Sequence, residues 1–508
     1  MKKCSPLETR LRSLEAHLAV ENPILQQAVQ SFRKLDRVAR RLGLLEREAS
    51  YATRVSWWPI IAVLGTYSAG KSTFINYYLG YKLQRTGNQA VDDKFTVICY
   101  SRDQTVRVLP GLALDADPRF PFYQISRAID ELAPGEGSRI DAYLQLKTCP
   151  SERLRGKILI DSPGFDADAQ RTATLRLTNH IIDLSDLVLV FFDARHPEPG
   201  TMQDTLEHLV AQTIRRPDAS KFLYILNQID TTAGEDNPED VVAAWQRALA
   251  QKGLLAGRFY RIYNPEVAVP IADASLRARF EAKRDADLAE IFGRMHQVEI
   301  ERAYRVVALL DQHARAIEAD FVPRLQALLA RWRRRVLWAD GLLLGSAAVA
   351  VGLWTALSGE WTGLRLSHPL WTTLAQAPLW RGLVLAAAAG LGLYTHFTVR
   401  KLSARALCRR LQREEKQAPD GERWAQLVRA FQHNTRWWRS VLRRRPAGWG
   451  RRSQRLLHEV LMEAKAYVQQ LNDRFTHPAG AEASPQLAQA ASAPETPAAA
   501  KADAAPVP

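Results

Sequence analysis

Cysteine is scarce in this 508-residue chain and stands only at positions 4, 99, 149 and 408. None lies in a CxxC pair or in a histidine-rich stretch, so neither a zinc framework nor a disulfide-stapled fold is expected, and a reducing compartment is the simplest reading. Carboxylates are short: 54 Asp and Glu face 69 Lys and Arg, leaving a net charge of +15. That excess favours an anionic partner, phospholipid headgroups or nucleic acid, and only the distribution of the charge separates the two. The start of the chain, MKKCSPLETR, is basic but has no apolar run behind it, so no cleaved secretory or lipoprotein signal is expected. No internal repeat is evident.

What is present divides into parts of different character. The length exceeds what one core usually supports, so at least two folding units are expected. Residues 1–50 carry Leu7, Leu11, Leu14 and Leu18, then Leu25, Val29, Phe32 and Leu35 after Pro23, which predicts two helices. From about 59 to 270 the pattern changes to short β-rich runs, PIIAVLG, FTVICY, KILID, LVLVFFD and FLYILN, separated by helical stretches. Such alternation predicts a mostly parallel sheet with crossover helices. Helical periodicity returns over 275–335 in Leu288, Ile291, Phe292, Met295 and Val298 and again in Ile317, Phe321, Leu325 and Leu328, with a kink expected at Pro323. Residues 478–508 are rich in Ala, Pro, Glu and Gln without large apolar groups, a composition expected to stay disordered.

Three motifs carry chemistry. GTYSAGKST, Gly65 to Thr73, fits G-x-x-x-x-G-K-[ST] between the strand PIIAVL and the helix FINYYLG. Gly65 and Gly70 let the backbone wrap closely. The N–H groups of Thr66, Tyr67, Ser68, Ala69 and Thr73 and the helix N-terminus would hold phosphate oxygens, Lys71 would neutralise charge, and Ser72 would ligate Mg²⁺. DSPGF, Asp161 to Phe165, closes the strand KILID; Asp161 would hold Mg²⁺ through water and the Gly164 amide would sense a γ-phosphate. NQID, Asn227 to Asp230, follows FLYIL. Asp230 can accept two hydrogen bonds from a guanine edge while Asn227 braces the loop, and the open alternative is an Asp that caps a helix. Gln228 stands where a lysine is usual, removing an alkyl stem that would cover the base.

At these residues the chain resembles a known family. GTYSAGKSTFI is similar to the P-loop of the EH-domain-containing dynamin-related ATPases, where a tyrosine also stands at the position of Tyr67, just before a serine matching Ser68. Weaker matches follow in order: Leu109 to Phe122, FFDAR at Phe191 to Arg195, RIY at Arg261 to Tyr263, and RFEAKRDADLAEIF at Arg279 to Phe292. The likeness covers roughly residues 20–320. It implies a dynamin-type nucleotide domain in which Tyr67 and Ser68 orient the attacking water, Lys71 and Mg²⁺ stabilise the transferring phosphoryl, and head-to-head pairing completes the site. Three departures stand. Switch I reads AVDDKF, with Val91 and Asp92 where the family has a magnesium-binding threonine, and Thr96 nearby but of open register. The family implies ATP whereas Asp230 implies GTP, toward which the reading leans. No EF-hand spacing marks an EH domain; an apolar hairpin stands in its place.

That hairpin consists of Gly341 to Leu357 and Gly382 to Val399, both without charged residues and near the lower length limit for a membrane span. Trp338, Trp354, Trp361, Trp371 and Trp380 sit at or between their ends, where interfacial aromatics belong. Arg331, Arg333, Arg334 and Arg335 precede the first segment, and Arg400, Lys401, Arg405, Arg409 and Arg410 follow the second, against only Glu360 and Arg365 in the intervening loop and Arg381 at the start of the second segment. Both termini are therefore expected in the cytoplasm, with a bacterial inner membrane as the location. The rival reading is a pair of buried helices in a soluble domain. A basic stretch, Arg436 to Arg455, interleaved with Trp437, Trp438 and Trp449, fits attraction to anionic lipid, the bland alternative being a solvated helix face; no nucleic-acid module is apparent.

The fold expected is thus an α/β P-loop NTPase with a dynamin-type G domain, an α-helical stalk and a two-helix transmembrane hairpin. Its divisions are 1–55 (N-terminal stalk helices), 56–272 (G domain), 273–335 (stalk), 336–400 (hairpin), 401–477 (basic C-terminal helices) and 478–508 (tail). The function expected is nucleotide-driven self-assembly and remodelling of the bilayer. The alternatives are an ATP-specific remodeller, a binding scaffold with little hydrolysis, and a soluble GTPase that uses its basic tail on RNA.

Overall fold

A computed structural model describes residues 5–86, 94–103, 105–116, 119, 140–164, 172–195, 219–234, 238–251, 253–254, 257–357, 361–362, 365–366, 378–417 and 421–476. The chain begins with α1 (Pro6–Glu21) and α2 (Pro23–Leu42), divided at Asn22. Asn22 ends the first helix and its side chain caps the second through the Leu25 amide; with Pro23 at the first helical position, the break predicted at the proline follows from its missing N–H and preset φ.

Eight strands then build one sheet in the order β3-β4-β2-β5-β1-β6-β7-β8. They are β1 (Ile60–Gly65), β2 (Phe95–Tyr100), β3 (Arg107–Pro110), β4 (Leu144–Cys149), β5 (Ile158–Asp161), β6 (Leu187–Asp193), β7 (Phe222–Asn227) and β8 (Arg258–Arg261). Strand β1 lies parallel between β5 and β6, with Val63 opposite Asp161 and Leu64 opposite Val190. Strands β7 and β8 continue the parallel run, whereas β2 pairs antiparallel to β5 and β3 antiparallel to β4. The mostly parallel sheet matches the sequence reading. Because β1, β5, β6 and β7 are buried on both faces, they read as continuous apolar runs; β4, with Gln145 and Lys147 at alternate positions, and β8, only four residues long with an arginine at each end, escaped that signal.

Alternation sends Ile61, Val63, Leu189, Phe191 and Ile225 to one face, covered by α3 (Lys71–Leu79) and by Leu288, Ile291, Met295 and Val298 of α6 (Ala274–Ala316). Ala62, Leu64, Val190, Phe192 and Leu226 go to the other, over α4 (Thr172–Leu184) and α5 (Pro238–Gln251). At 43 residues, α6 extends about 64 Å. Its far half, through Val306, Val307, Leu310 and Ala314, enters the same core as α1 and α2. One unbroken helix therefore joins the sheet to a helical body.

One π-helical turn, Ile317–Phe321, passes α6 into α7 (Val322–Leu357). Pro323 is the second residue of α7, and the widened turn before it accommodates the ring. The return path is α8 (Pro378–Gln417), then α9 (Gly421–Asn434) and α10 (Arg451–Thr476). Helix α10 buries Leu457, Val460, Ala464 and Leu471 in the body formed by α1, α2 and α6. Ser31 of α2 bonds Glu463 at 2.5 Å and Tyr467 at 2.9 Å, and Lys34 pairs with Glu459 and Glu463.

The apolar parts of α7 and α8 are long and apolar enough to cross a membrane, and 6% and 0% of these windows are buried. Leu342, Leu344, Leu353, Leu383, Leu391 and Tyr394 are exposed, unlike the core helices of a soluble domain. Asp340 and His396 meet across the pair at 2.6 Å. Trp338 and Trp354 are exposed, while Trp371 and the 478–508 tail lie outside the described residues. Between α9 and α10 the chain turns without helix; Trp437 and Trp438 are exposed there, but Trp449 is buried beside α2, so the tryptophans of this basic stretch do not share one role.

Candidate functional site

The P-loop is the turn between β1 and α3. Gly70 adopts φ +79°, and a Cβ there would lie 2.2 Å from Nδ2 of Asn227, so only glycine admits the approach. Ser68 (φ 60°) and Gln228 (φ 65°) are left-handed without being glycine, a conformation held only where surrounding bonds over-determine it. Those bonds are present. Gln228 Nε2 donates to the Ser68 carbonyl at 2.6 Å, Asn227 Nδ2 donates to the Ala69 carbonyl at 2.9 Å, and Arg195 Nη2 donates to Ser68 Oγ at 3.0 Å. Gln228, read from sequence as a lost cover for the base, thus braces the P-loop instead. Arg195 is itself fixed by both carboxylate oxygens of Asp193, at the end of the strand beside β1.

Lys71 is buried and its Nζ donates to the Gly65 and Thr66 carbonyls at 3.0 and 2.9 Å. Burial pushes its pKa down to about 8, against the opposing pull of Asp161. Thr66 and Ala69 are buried, Ser72 and Thr73 half-buried, and Tyr67 is exposed. Gly164 lies against Tyr67: a Cβ on it would come within 2.9 Å of the Tyr67 Cα. The DSPG turn and the P-loop therefore face each other.

Ser72 Oγ stands 3.3 Å from Asp161 Oδ2. Mg²⁺ takes oxygen donors, so this hydroxyl and carboxylate fit that ion: Ser72 Oγ would ligate it and Asp161 would hold it through water, where it would offset phosphate charge. Asp161 is buried and further tied: Gln84 Nε2 donates to its Oδ2 at 2.6 Å, and Lys147 Nζ donates to Gln84 Oε1 at 2.6 Å. Asn76 of α3 positions Gln84 by accepting from its amide at 2.8 Å and donating to its carbonyl at 2.8 Å. Sequence reading missed Gln84 and Lys147. Lys147 carries a weak signal, since Gln145 and Lys147 alternate with Leu144 and Leu146; Gln84 carries none.

Thr96, whose register was open, lies in β2 opposite Asp161, and its Oγ1 accepts from Gln145 at 2.7 Å; it is a buried strand residue rather than part of a loop. Val91 and Asp92 lie outside the described residues. Asp230 is buried at the start of the turn after β7, and its Oδ2 accepts from the Val269 amide at 2.7 Å. Burial raises its pKa, and backbone amides at Val269, Asp230 and Thr231 oppose the rise. One carboxylate oxygen is thereby engaged by the chain itself.

A sequence profile of the Dynamin family matches residues 61–229, from β1 to just past β7. EH domain-containing protein 2 of Rattus norvegicus is 25% identical over 179 residues, which cover 34% of this chain and 30% of that protein. EH domain-containing protein 3 of Mus musculus is 26% identical over 182 residues, or 34% of this chain and 31% of the relative. The chain thus matches under a third of the length of these relatives. A solved structure of an oligomerised bacterial dynamin pair, described as a mechanism for long-range sensing and tethering of membranes, aligns over 92% of this chain and 74% of its own at 12% identity, with a TM-score of 0.33, too weak a likeness to bear on the arrangement here.

Proposed function

We propose, on the premise that this chain belongs to the dynamin superfamily close to its EH-domain-containing branch, that it is a membrane-anchored nucleoside triphosphatase whose cycle drives self-assembly and membrane remodelling. One juxtaposition supports this above all. A P-loop with buried Lys71 and a Ser72–Asp161 pair at 3.3 Å sits on a sheet that the 43-residue α6 joins to two apolar, solvent-exposed helices. In this reading Gly65 to Thr73 and Gly164 cradle the phosphates, Ser72 and Asp161 hold Mg²⁺, and Lys71 stabilises charge on the transferring phosphoryl. Tyr67 and Ser68 orient water, with Arg195 holding the Ser68 hydroxyl in place. The two apolar helices span the bilayer with both termini on the basic, cytoplasmic side.

GTP is the proposed substrate, read by Asp230 beside Asn227. A second reading, ATP, is the one the family likeness implies, and the Val269 amide on Asp230 Oδ2 competes with a guanine edge for one of the two oxygens it would use. Phosphate release by the full chain in liposomes, run with GTP and with ATP, tests both. Lipid-stimulated turnover of GTP supports the enzyme; tight binding without turnover makes the protein a nucleotide-dependent scaffold. Lys71→Ala is expected to abolish nucleotide binding while the chain still resists carbonate extraction, and unchanged affinity in that variant would refute the placement of the site.

A further inference from the structure

Directly beyond the second apolar segment a cavity of about 790 Å³ opens between α8 and the turn after α9. Lys401, Arg405 and Arg409 line it from one stripe of α8, with Gln432, Thr435 and Trp437 on the other wall. Arg400 builds that wall: its Nη2 donates to the Arg436 and Arg439 carbonyls at 3.3 and 2.5 Å, and its guanidinium lies 5.5 Å from the Trp332 and Phe397 rings. Cations at i, i+4 and i+8 repel one another on a helix. Among the described residues no carboxylate forms an ion pair with Lys401, Arg405, Arg409, Arg436 or Arg439, although elsewhere on α8 Arg410 has Glu414. Burial, then repulsion from Arg443 and Arg436, draws the Arg439 pKa down. Among the described residues these five cations have no paired counter-charge.

Its depth identifies the counter-charge. Counted along the helix from Val399, the last apolar residue, Lys401, Arg405 and Arg409 stand about 3, 9 and 15 Å beyond the hydrocarbon edge. The headgroup layer is about 5–8 Å thick on each side, so Lys401 lies within it, Arg405 stands at its outer limit, and Arg409 follows about 6 Å farther out on the same stripe. Trp437 and Trp438, exposed beside the cavity, mark the same level. From this we infer that the cavity is a site for the phosphate headgroup of an anionic phospholipid, one per chain, drawn from the leaflet facing the terminal helices. The inference rests on the two-span reading above, and it assigns a discrete site where that reading needs only diffuse attraction.

The test uses the full chain in neutral detergent micelles, titrated with dioleoyl phosphatidylglycerol, with phosphatidylcholine and with inorganic phosphate, and bound lipid counted by native mass spectrometry. One phosphatidylglycerol should bind in preference to phosphatidylcholine. Arg405→Gln with Arg409→Gln should weaken it tenfold or more, Arg405→Lys with Arg409→Lys should restore most of the affinity, and Arg277→Gln with Arg279→Gln, an equal charge change on exposed positions at the start of α6, should leave it within twofold. Wild-type affinity in the glutamine pair, equal loss in the control pair, or displacement of the lipid by millimolar phosphate overturns the site. Carbonate extraction of the same chain is read separately: retention in the membrane with no lipid preference sinks only the cavity, whereas release sinks the span on which it depends.

Discussion

Replacing Gln84 with leucine tests whether the polar chain behind the P-loop supports the metal side of the site. The two side chains are similar in volume, so packing changes little and the effect isolates hydrogen bonding. In the native chain the Gln84 amide is used at both ends, toward Asp161 at 2.6 Å and Lys147 at 2.6 Å, and all three residues are buried. A hydrogen bond to a charged group contributes about 1.5–3 kcal/mol. Asp161 keeps Ser72 as a donor, so the lower end applies and the loss is about 3 kcal/mol for the two bonds. For a domain of 150–250 residues that corresponds to a fall in Tm of about 6–12 °C. Thermal melts of the full chain in micelles, followed by circular dichroism, would measure it. Adding Lys147→Met should return part of the loss, because the leucine removes a hydrogen bond from a buried ammonium that methionine replaces with an apolar chain. The Mg²⁺ concentration for half-maximal nucleotide binding should rise several-fold, as Asp161 is no longer braced. A Gln84→Leu melt within about 1 °C of the parent, or a double variant less stable than the single one, would refute the coupling.

Three further outcomes follow from the geometry. Lys71 has its pKa pushed down to about 8 by burial, and a bound polyphosphate anion raises it again; the bound state therefore holds more protons, and nucleotide affinity, flat below pH 8, should fall by up to about tenfold per pH unit above it, as calorimetry in buffers of different ionisation enthalpy would show. Gly70→Ala forces a Cβ to within 2.2 Å of Asn227 Nδ2 at φ +79° and should weaken nucleotide binding about 5- to 30-fold through strain of about 1–2 kcal/mol; unchanged fluorescence titrations would contradict it. Asp186 is buried, accepts from the Ile60 amide at 3.1 Å and pairs with Arg302 and Arg305 of α6. Asp186→Asn leaves the half-buried Arg302 without its counter-charge and should cost about 1–3 kcal/mol, read as a lower urea midpoint.

Local chemistry decided what could be read from the amino-acid order. A strand that must be apolar on both faces, followed by Gly65, Gly70 and Lys71 in a fixed frame, announces a phosphate cradle, because backbone approach, amide direction and charge are all set within nine neighbouring residues. Asn22-Pro23 announces its helix boundary for the same reason, and two runs without charge announce helices that lipid would tolerate. Residues brought together across the chain carry no such signal. That Gln84 would link Asp161 to Lys147, that Gln228 and Arg195 would lock Ser68, or that α10 would bury Leu457 and Leu471 against α2 depends on strand order and helix packing. The same holds for Trp449 and Trp437, neighbours in one basic stretch of which the first is buried and the second exposed. Periodicity specifies which face a side chain occupies, but only the tertiary arrangement specifies what that face meets.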